Sequence, residues 1–283
     1  MSDQSAVIFH VPGKINLSLE ITGLRADGYH DLVTVFQTVG VYDKLTVRRA
    51  GRIQIAATGL DVPTDDSNLC VQAARGYFEA ADQGGGCEIV LHKEIPIGGG
   101  LGGGSADAAW TLRALEELYG YGVDLESLAV RLGSDVPFFL QGGTALGEGR
   151  GEKLTPLKQP ALGSIVVAQP GEQVSTARAY EMLSRDDFSD GQTTKDLFEA
   201  LKDDPNVSAH LDLLSNTFQE PGQRQHPQIE ALREQMIDEG ALTALLCGSG
   251  SCVFGIFETI QSAHTTALGL RRVGYWSLAT NLI

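Results

Sequence analysis

The sequence predicts mixed strands and helices arranged in two domains. Apolar residues alternate over some stretches, as in a half-buried strand. Over others they recur every three or four residues, as in an amphipathic helix. The length of 283 residues suits one large or two ordinary domains, and the composition shifts near residue 153. The expected division is 1–153 for an N-terminal domain and 154–274 for a smaller C-terminal one. A last strand over 275–283 could return to the first domain.

In chain order, AVIFHVPGKINLSLEI reads as strand, a brief interruption at Pro12-Gly13, then strand, with Ile15, Leu17, Leu19 and Ile21 in period two. TGLRADGYHDL is a loop turning at Asp27-Gly28. LVTVFQTVGV, KLTVRR and RIQIAAT read as strands. DDSNLCVQAARGYFEAA reads as a helix starting at Asp66 or Ser67. CEIVLHKEIPI is a strand with Ile89, Leu91 and Lys93 on one side. In SADAAWTLRALEELYG, Ala108, Leu112, Leu115 and Tyr119 fall at helical spacing, with Ser105 as N-cap and Gly120 as stop. DLESLAVRLG is a helix ending at Gly133. SDVPFFLQGGTALGEGRGEKL is a turn, a short helix or strand, and a hairpin. Beyond residue 153, SIVVAQPG is a buried-type strand and STARAYEML a helix. SRDDFSDGQTTKDLFEALKDDP is acidic, broken by turn residues, and expected at the surface. HPQIEALREQMIDEG is an amphipathic helix. ALTALLCGSGSCVFGIF is strand, glycine turn, strand. SAHTTALGLRRVG is a helix and YWSLATNLI a strand.

Composition narrows the function. Apolar residues make up 42% and charged residues 20%, a globular balance, and no stretch approaches a membrane span. No basic run followed by an apolar core opens the chain, so no signal peptide is expected. Acidic residues outnumber basic ones 36 to 21, for a net charge of −15, which argues against a nucleic-acid or anionic-membrane surface. A phosphorylated small molecule needs only a local positive site. Cys70, Cys87, Cys247 and Cys252 form no CxxC pair. They read as reduced, buried thiols of a cytoplasmic protein rather than two disulfides.

The run PIGGGLGGGSADAAW, 96–110, carries the most chemistry. As a flexible linker it should join two polar, unstructured ends, yet it joins a strong strand to an amphipathic helix. As a Walker A loop it lacks a Lys after its last Gly, where Ser105 stands. Gly98, Gly100 and Gly103 fit a dinucleotide fingerprint, but no strand about 20 residues on carries the required acid. What remains is a cradle of backbone N–H groups leading into a helix N-terminus. Gly98, Gly99, Gly100, Gly102, Gly103, Gly104 and Ala106 leave room for a phosphate, and Leu101 anchors the loop.

PIGGGLGGGSADAA resembles the second motif of the GHMP kinases, the family of galactokinase, homoserine kinase, mevalonate kinase and phosphomevalonate kinase. VPGKINLSLEI, 11–21, resembles the first motif, and CGSGSCVFGIF, 247–257, the third. The series KINL, ITGLRADGYHDLVTVFQTV, DSNL, LGSDVPFFLQGG and GSGSCVFG is similar to one branch of that family. Members of this branch phosphorylate a cytidyl diphosphate of a branched polyol in non-mevalonate isoprenoid synthesis. The resemblance spans about residues 10–258 and is weak over 183–226.

The resemblance implies an α+β fold of two domains, with ATP over the glycine loop and Mg²⁺ beside it. Asp135 matches the family's catalytic carboxylate and would take or orient the proton of the acceptor hydroxyl; by itself it reads equally as a turn residue before Pro137. Lys14 would pair with Asp135 and keep it ionised; alone it reads as a strand-edge lysine. Asn16, two residues on, shares Lys14's strand face and is placed near the polyol hydroxyls. His30 would read the cytosine edge, with Tyr29 stacking on the base, Tyr180 giving a second flat face and Thr176 beside it. On the nucleotide side the resemblance places Asn68, Lys93, Pro96 and the run Gly98–Ala106. Asn68 also reads as a helix cap, and Lys93 as the exposed side of its strand. Gly248, Ser249 and Gly250 would close over the phosphates. Family members usually have a second Ser where Ala106 stands, so Ser105 is left as the candidate metal ligand. The partners implied are small molecules, with no nucleic acid and no membrane, in a monomer or homodimer. Three alternatives stay open: another acceptor within the family, a nicotinamide oxidoreductase, and a catalytically silent nucleotide-binding relative.

Overall fold

The interruption expected at Pro12-Gly13 does not occur: β1 runs unbroken from Val7 to Leu24. Proline's fixed φ suits extended backbone, and only its missing donor weighs against a strand. The structure, a computed structural model, describes residues 6–171 and 173–283. The absence of a leader pattern over residues 1–5 lies outside the described residues. LVTVFQTVGV and KLTVRR likewise join into one strand, β2 (His30–Ala50). Two compact units follow, and β1 and β2 each run from one into the other. The units therefore do not divide at 153/154.

Unit 1 comprises residues to Gly13, Val41–Ile95 and Gly102–Gly142. It holds the nearer parts of β1 and β2, then β3 (Gln54–Gly59), α1 (Leu69–Ala80), β4 (Gly86–Lys93), α2 (Gly103–Tyr119), α3 (Leu125–Leu132) and α4 (Val136–Gln141). β4 pairs antiparallel with β2, Lys44 opposite His92, and parallel with β3, Ile55 opposite Ile89. Helices α1, α3 and α4 pack against α2. Tyr77, Leu112, Leu115 and Phe138 are fully buried. α2 stops at Gly120 as expected, in a left-handed conformation whose N–H bonds Glu116 O.

Unit 2 comprises Lys14–Gly40, Pro96–Leu101 and Gly143–Ile283. β5 (Thr144–Gly149) pairs antiparallel with β2 and with β6 (Lys153–Leu157), forming the expected hairpin. There follow β7 (Ser164–Gln169), α5 (Thr176–Glu181), α6 (Gln192–Asp203), α7 (Gln219–Gln225), α8 (Pro227–Asp238), β8 (Thr243–Leu246), β9 (Val253–Phe257), α9 (Ile260–Arg272) and β10 (Trp276–Thr280). A second sheet has the order β10-β7-β9-β8, all neighbours antiparallel. α8 and α9 pack on it around Val166, Phe218, Leu232, Phe257 and Leu270.

Two expectations are corrected here. β10 pairs with β7, Trp276 opposite Gln169, so the last strand belongs to the second sheet. Its end and the residues after it reach β2: Thr280 Oγ1 donates to Gly40 O, Gly40 N to Asn281 O and Ile283 N to Thr38 O. The acidic stretch after Leu183 is not all surface turn. It holds α6, which buries Leu197, Phe198 and Leu201, an apolar stripe masked in sequence by its acidic flanks. All four cysteines are free and buried, and no described helix is long and apolar enough to cross a membrane.

Candidate functional site

In unit 2 the three glycine-bearing or lysine-bearing motifs are joined by main-chain hydrogen bonds. Lys14 N donates to Leu101 O at 2.9 Å. Ser251 N donates to Gly98 O at 2.8 Å and Cys252 N to Gly99 O at 3.1 Å. The approach is close enough that a Cβ on Gly100 would lie 1.7 Å from Cys247 O, and Gly100 has a φ of +74° besides. Only glycine fits there. The run 96–101 is therefore a fixed element, with Pro96 and Leu101 buried, and not a linker.

Lys14 is 4% exposed, against the solvent-edge alternative. Its Nζ donates to Asn16 Oδ1 at 2.8 Å, so the two side chains share a face as the period-two pattern predicts. Asn16 Nδ2 donates to Thr34 Oγ1 at 2.7 Å, and Thr34 Oγ1 donates to Ser18 O at 2.7 Å. Each group thus has its orientation set by the next. A Cβ on Gly248 would lie 2.9 Å from Lys14 Nζ and 3.4 Å from Asn16 Oδ1, so the third motif's turn comes directly against this pair. Asn216 shapes that turn: its Nδ2 donates to Leu246 O and to Gly248 O, both at 2.8 Å. Ser249 Oγ lies 3.4 Å from Thr176 Oγ1. Cys247 and Cys252 flank the turn, and burial pushes both thiols up, so neither offers a thiolate.

A second cluster in unit 2 is aromatic. The His30 ring lies 4.9 Å from Tyr180 at 32° and 5.7 Å from Phe188 at 85°. Tyr180 meets Phe218 edge-on at 4.9 Å. Burial holds the His30 imidazole below its ordinary value. Tyr29 is 53% exposed, and the Arg150 guanidinium stands 4.7 Å from its ring centroid.

Unit 1 carries the helix end of the glycine run. α2 starts at Gly103, and Gly102, with φ 70°, is its N-cap. The expected cap at Ser105 is corrected: the left-handed turn at Gly102 begins the helix earlier and leaves Ser105 in its first turn. Gly102 has no side chain to accept from the first-turn N–H groups, which suits them to an anion. Ala106 is fully buried, its N–H bonded to Gly102 O at 2.9 Å.

Lys93 shares one face of β4 with Ile89 and Leu91, as the alternation predicts, but that face is buried and Lys93 is 4% exposed, which corrects its reading as the exposed side of the strand. Its Nζ bonds Asp43 Oδ2 at 2.5 Å and Asp107 Oδ2 at 2.6 Å. It lies under α2, 2.7 Å from where a Cβ on Gly103 would sit. Burial works against the lysine's charge, but Asp107 and Asp43 together outweigh it and hold the ammonium above its ordinary value. Burial, aided by Asp43 and opposed by Lys93, pushes the Asp107 carboxyl up. Asp107 Oδ1 is buried with no hydrogen-bond partner among the described residues. Asp43 Oδ1 accepts from the backbone of Glu94 and Ile95 at 2.6 and 2.9 Å, fixing the chain just before the glycine run.

Of Asn68's two readings the structure shows the cap: Oδ1 accepts from Cys70 N at 2.9 Å and Nδ2 donates to Pro63 O at 2.6 Å. It replaces the expected cap at Asp66 or Ser67. Asp135 immediately precedes α4, but its side chain does not cap that helix. Asp43, Asp107, Phe188 and Asn216 were not legible as site residues. Only Asp107 left a signal, as a lone carboxylate on the apolar face of a helix.

The family model for the GHMP kinases N terminal domain matches residues 68–143, and that for the GHMP kinases C terminal matches 197–275. A protein of Deinococcus radiodurans named 4-diphosphocytidyl-2-C-methyl-D-erythritol kinase is 40% identical, over 98% of this chain and 94% of its own. A crystal structure of 4-(cytidine 5'-diphospho)-2C-methyl-D-erythritol kinase superposes with a TM-score of 0.81 at 38% identity, covering 98% of this chain and 99% of that one. Homoserine kinase from Cytophaga hutchinsonii, at 19% identity and a TM-score of 0.76 over 100% of this chain and 99% of its own, shares the fold. With these relatives along nearly its whole length, the chain belongs to the GHMP kinases, in the family of the 4-diphosphocytidyl-2-C-methyl-D-erythritol kinases.

Proposed function

We propose that the chain transfers the γ-phosphoryl group of ATP to the 2-hydroxyl of 4-diphosphocytidyl-2-C-methyl-D-erythritol, giving the 2-phosphate and ADP. The observation that carries this is the set of main-chain hydrogen bonds joining Lys14, Gly98–Leu101 and Ser251–Cys252, the residues that follow the turn at Gly248–Gly250. Phosphoryl transfer asks mainly for positioning and charge neutralisation, and these elements supply both.

On this reading the first-turn N–H groups of α2 and the glycine run receive the ATP phosphates. Lys14 and Asn16 address the acceptor hydroxyls. Asp135 takes or orients the proton of the attacking hydroxyl. His30 and Tyr180 hold the cytosine, and Tyr29 with Arg150 forms an outer face. The buried Lys93 acts by fixing α2 through Asp107 rather than by offering a free cation to the nucleotide. Mg²⁺, when bound, neutralises charge on the phosphates. No cluster of three or more His, Cys, Asp or Glu that could hold a metal occurs among the described residues. The Ser105 hydroxyl, in the first turn of α2, would be a protein donor to the metal.

The test is coupled ADP release with ATP and Mg²⁺, offering the cytidyl substrate against mevalonate, homoserine and galactose. Release with the cytidyl substrate alone is expected. Release with another acceptor alone refutes the substrate. ATP binding without release for any acceptor makes the chain a binding module.

A further inference from the structure

Glu20 has no part in the chemistry above, yet its carboxylate is only 6% exposed. On β1 it stands four residues past Asn16. Oε1 accepts from Ser189 Oγ at 2.7 Å, and Oε2 from Thr194 N at 2.6 Å. Thr194 N is one of the first-turn donors of α6, whose N-cap, Gly191, has no side chain to accept them. Glu20 supplies the missing acceptor from another element. Two neighbours on β1 reinforce it. Ile21 O accepts from Ser189 N at 3.0 Å, and Ser18 Oγ is 2.7 Å from Thr194 Oγ1. Gly191 is pressed against the sheet as well, since a Cβ there would lie 2.9 Å from Val33 and 3.0 Å from Thr22. The segment 189–194 is thus held to β1 at four points, two of them on one carboxylate. Phe188, directly before it, is the ring that stands edge-on to His30.

We propose that Glu20 is a positioning residue for the acceptor's base pocket. By fixing residues 189–194 it fixes Phe188, and Phe188 is the wall that keeps His30 in register with Tyr180. The pocket so held selects a flat, uncharged base on the acceptor, here the cytosine of a cytidine diphosphate ester. The proposal rests on the reading that His30 belongs to that pocket.

Glu20→Ala removes both acceptors, Glu20→Gln restores one oxygen for Thr194 N, and Ser189→Ala removes one of the two bonds to the carboxylate together with the acceptor of Gly191 N. Amide hydrogen exchange of 188–194 without substrate reads the pinning. Steady-state kinetics with 4-diphosphocytidyl-2-C-methyl-D-erythritol and ATP reads the pocket. Glu20→Ala is expected to speed exchange in this segment at least tenfold and to raise the acceptor KM about five- to thirtyfold. The ATP KM should stay within twofold and kcat within about threefold. Glu20→Gln should recover most of the affinity. Ser189→Ala should fall between, and it stands in should Glu20→Ala not fold. An unchanged acceptor KM, or equal rises in both KM values, overturns the proposal. Should the wild-type chain not use the cytidyl acceptor, that reading fails on its own. Exchange then decides: unchanged rates overturn Glu20's role, and faster rates keep it as the residue that fixes the wall beside His30.

Discussion

Replacing Lys93 with methionine removes the cation from a buried group that also holds two carboxylates. At formal charges Asp43, Lys93 and Asp107 sum to −1; Lys93→Met leaves two buried carboxylates with no cation, −2 at formal charges and −1 once Asp107, already pushed up, takes a proton, and Asp107→Asn leaves 0. The N···O distances of 2.5 and 2.6 Å are at full contact. Each attraction is about 6 kcal/mol at an effective dielectric near 20, before the desolvation that opposes it. Breaking such a pair from one side costs about 3–5 kcal/mol, because a buried charge is left uncompensated. For a chain of this size that lowers Tm by roughly 6–15 °C. Asp107→Asn should cost no more than about 1 kcal/mol, since a neutral lysine–aspartate pair remains and Asp107 Oδ1 has no partner to lose. Lys93→Met with Asp43→Asn and Asp107→Asn carries no net charge and should recover more than half of the loss. Calorimetric melting of the four proteins at one pH and salt concentration checks this. A Lys93→Met Tm within 2 °C of wild type, or a triple variant no more stable than Lys93→Met, refutes the charge argument.

Asp135→Asn should lower kcat by about a thousandfold or more while leaving ATP affinity within a few-fold by calorimetry; a tenfold weaker ATP complex with turnover intact would contradict the assigned role. His30→Ala should raise the acceptor KM far more than the ATP KM. Burial lowers the His30 pKa, so the neutral ring, and any folding stability linked to it, persists above the ordinary histidine value and is lost as pH falls through the lowered one. The acceptor KM should accordingly stay flat from pH 8 to 6.5 and rise below, and a profile already bending at pH 7 counts against it. Gly100→Ala meets a left-handed backbone costing about 1–2 kcal/mol and a carbonyl at 1.7 Å from the new Cβ. It should lower Tm and abolish turnover together, and a fully active, stable variant would show that the two glycine turns do not meet.

How much was legible depended on the kind of interaction. Local patterns read well. The alternation in KINLSLEI gave the shared face of Lys14 and Asn16, and the alternation in CEIVLHK put Lys93 on one side with Ile89 and Leu91, though not that this side is buried at the lysine. Gly120 ended α2 as its lack of a Cβ allows. Helix starts read less well. Ser105 and Asp66 both have capping chemistry, but Gly102's positive φ and Asn68's position took the caps. α6 was missed because its acidic flanks outweigh a stripe of three apolar residues. The polar partners were not readable at all. Nothing near Asn216 in sequence indicates that its amide holds the turn at Gly248, 32 residues away.

The sequence by itself determined the element types, the glycine runs, the order of the three motifs and the family to which the chain belongs. Each of these depends on residues a few positions apart, where backbone geometry alone sets which side chains share a face. Tertiary structure decided which motifs bond to one another, where β10 pairs, and which carboxylates Lys93 meets. Those contacts join residues up to 246 positions apart, as between Gln37 and Ile283. No periodicity encodes them, because they form only once the elements have packed and the buried donors must find acceptors.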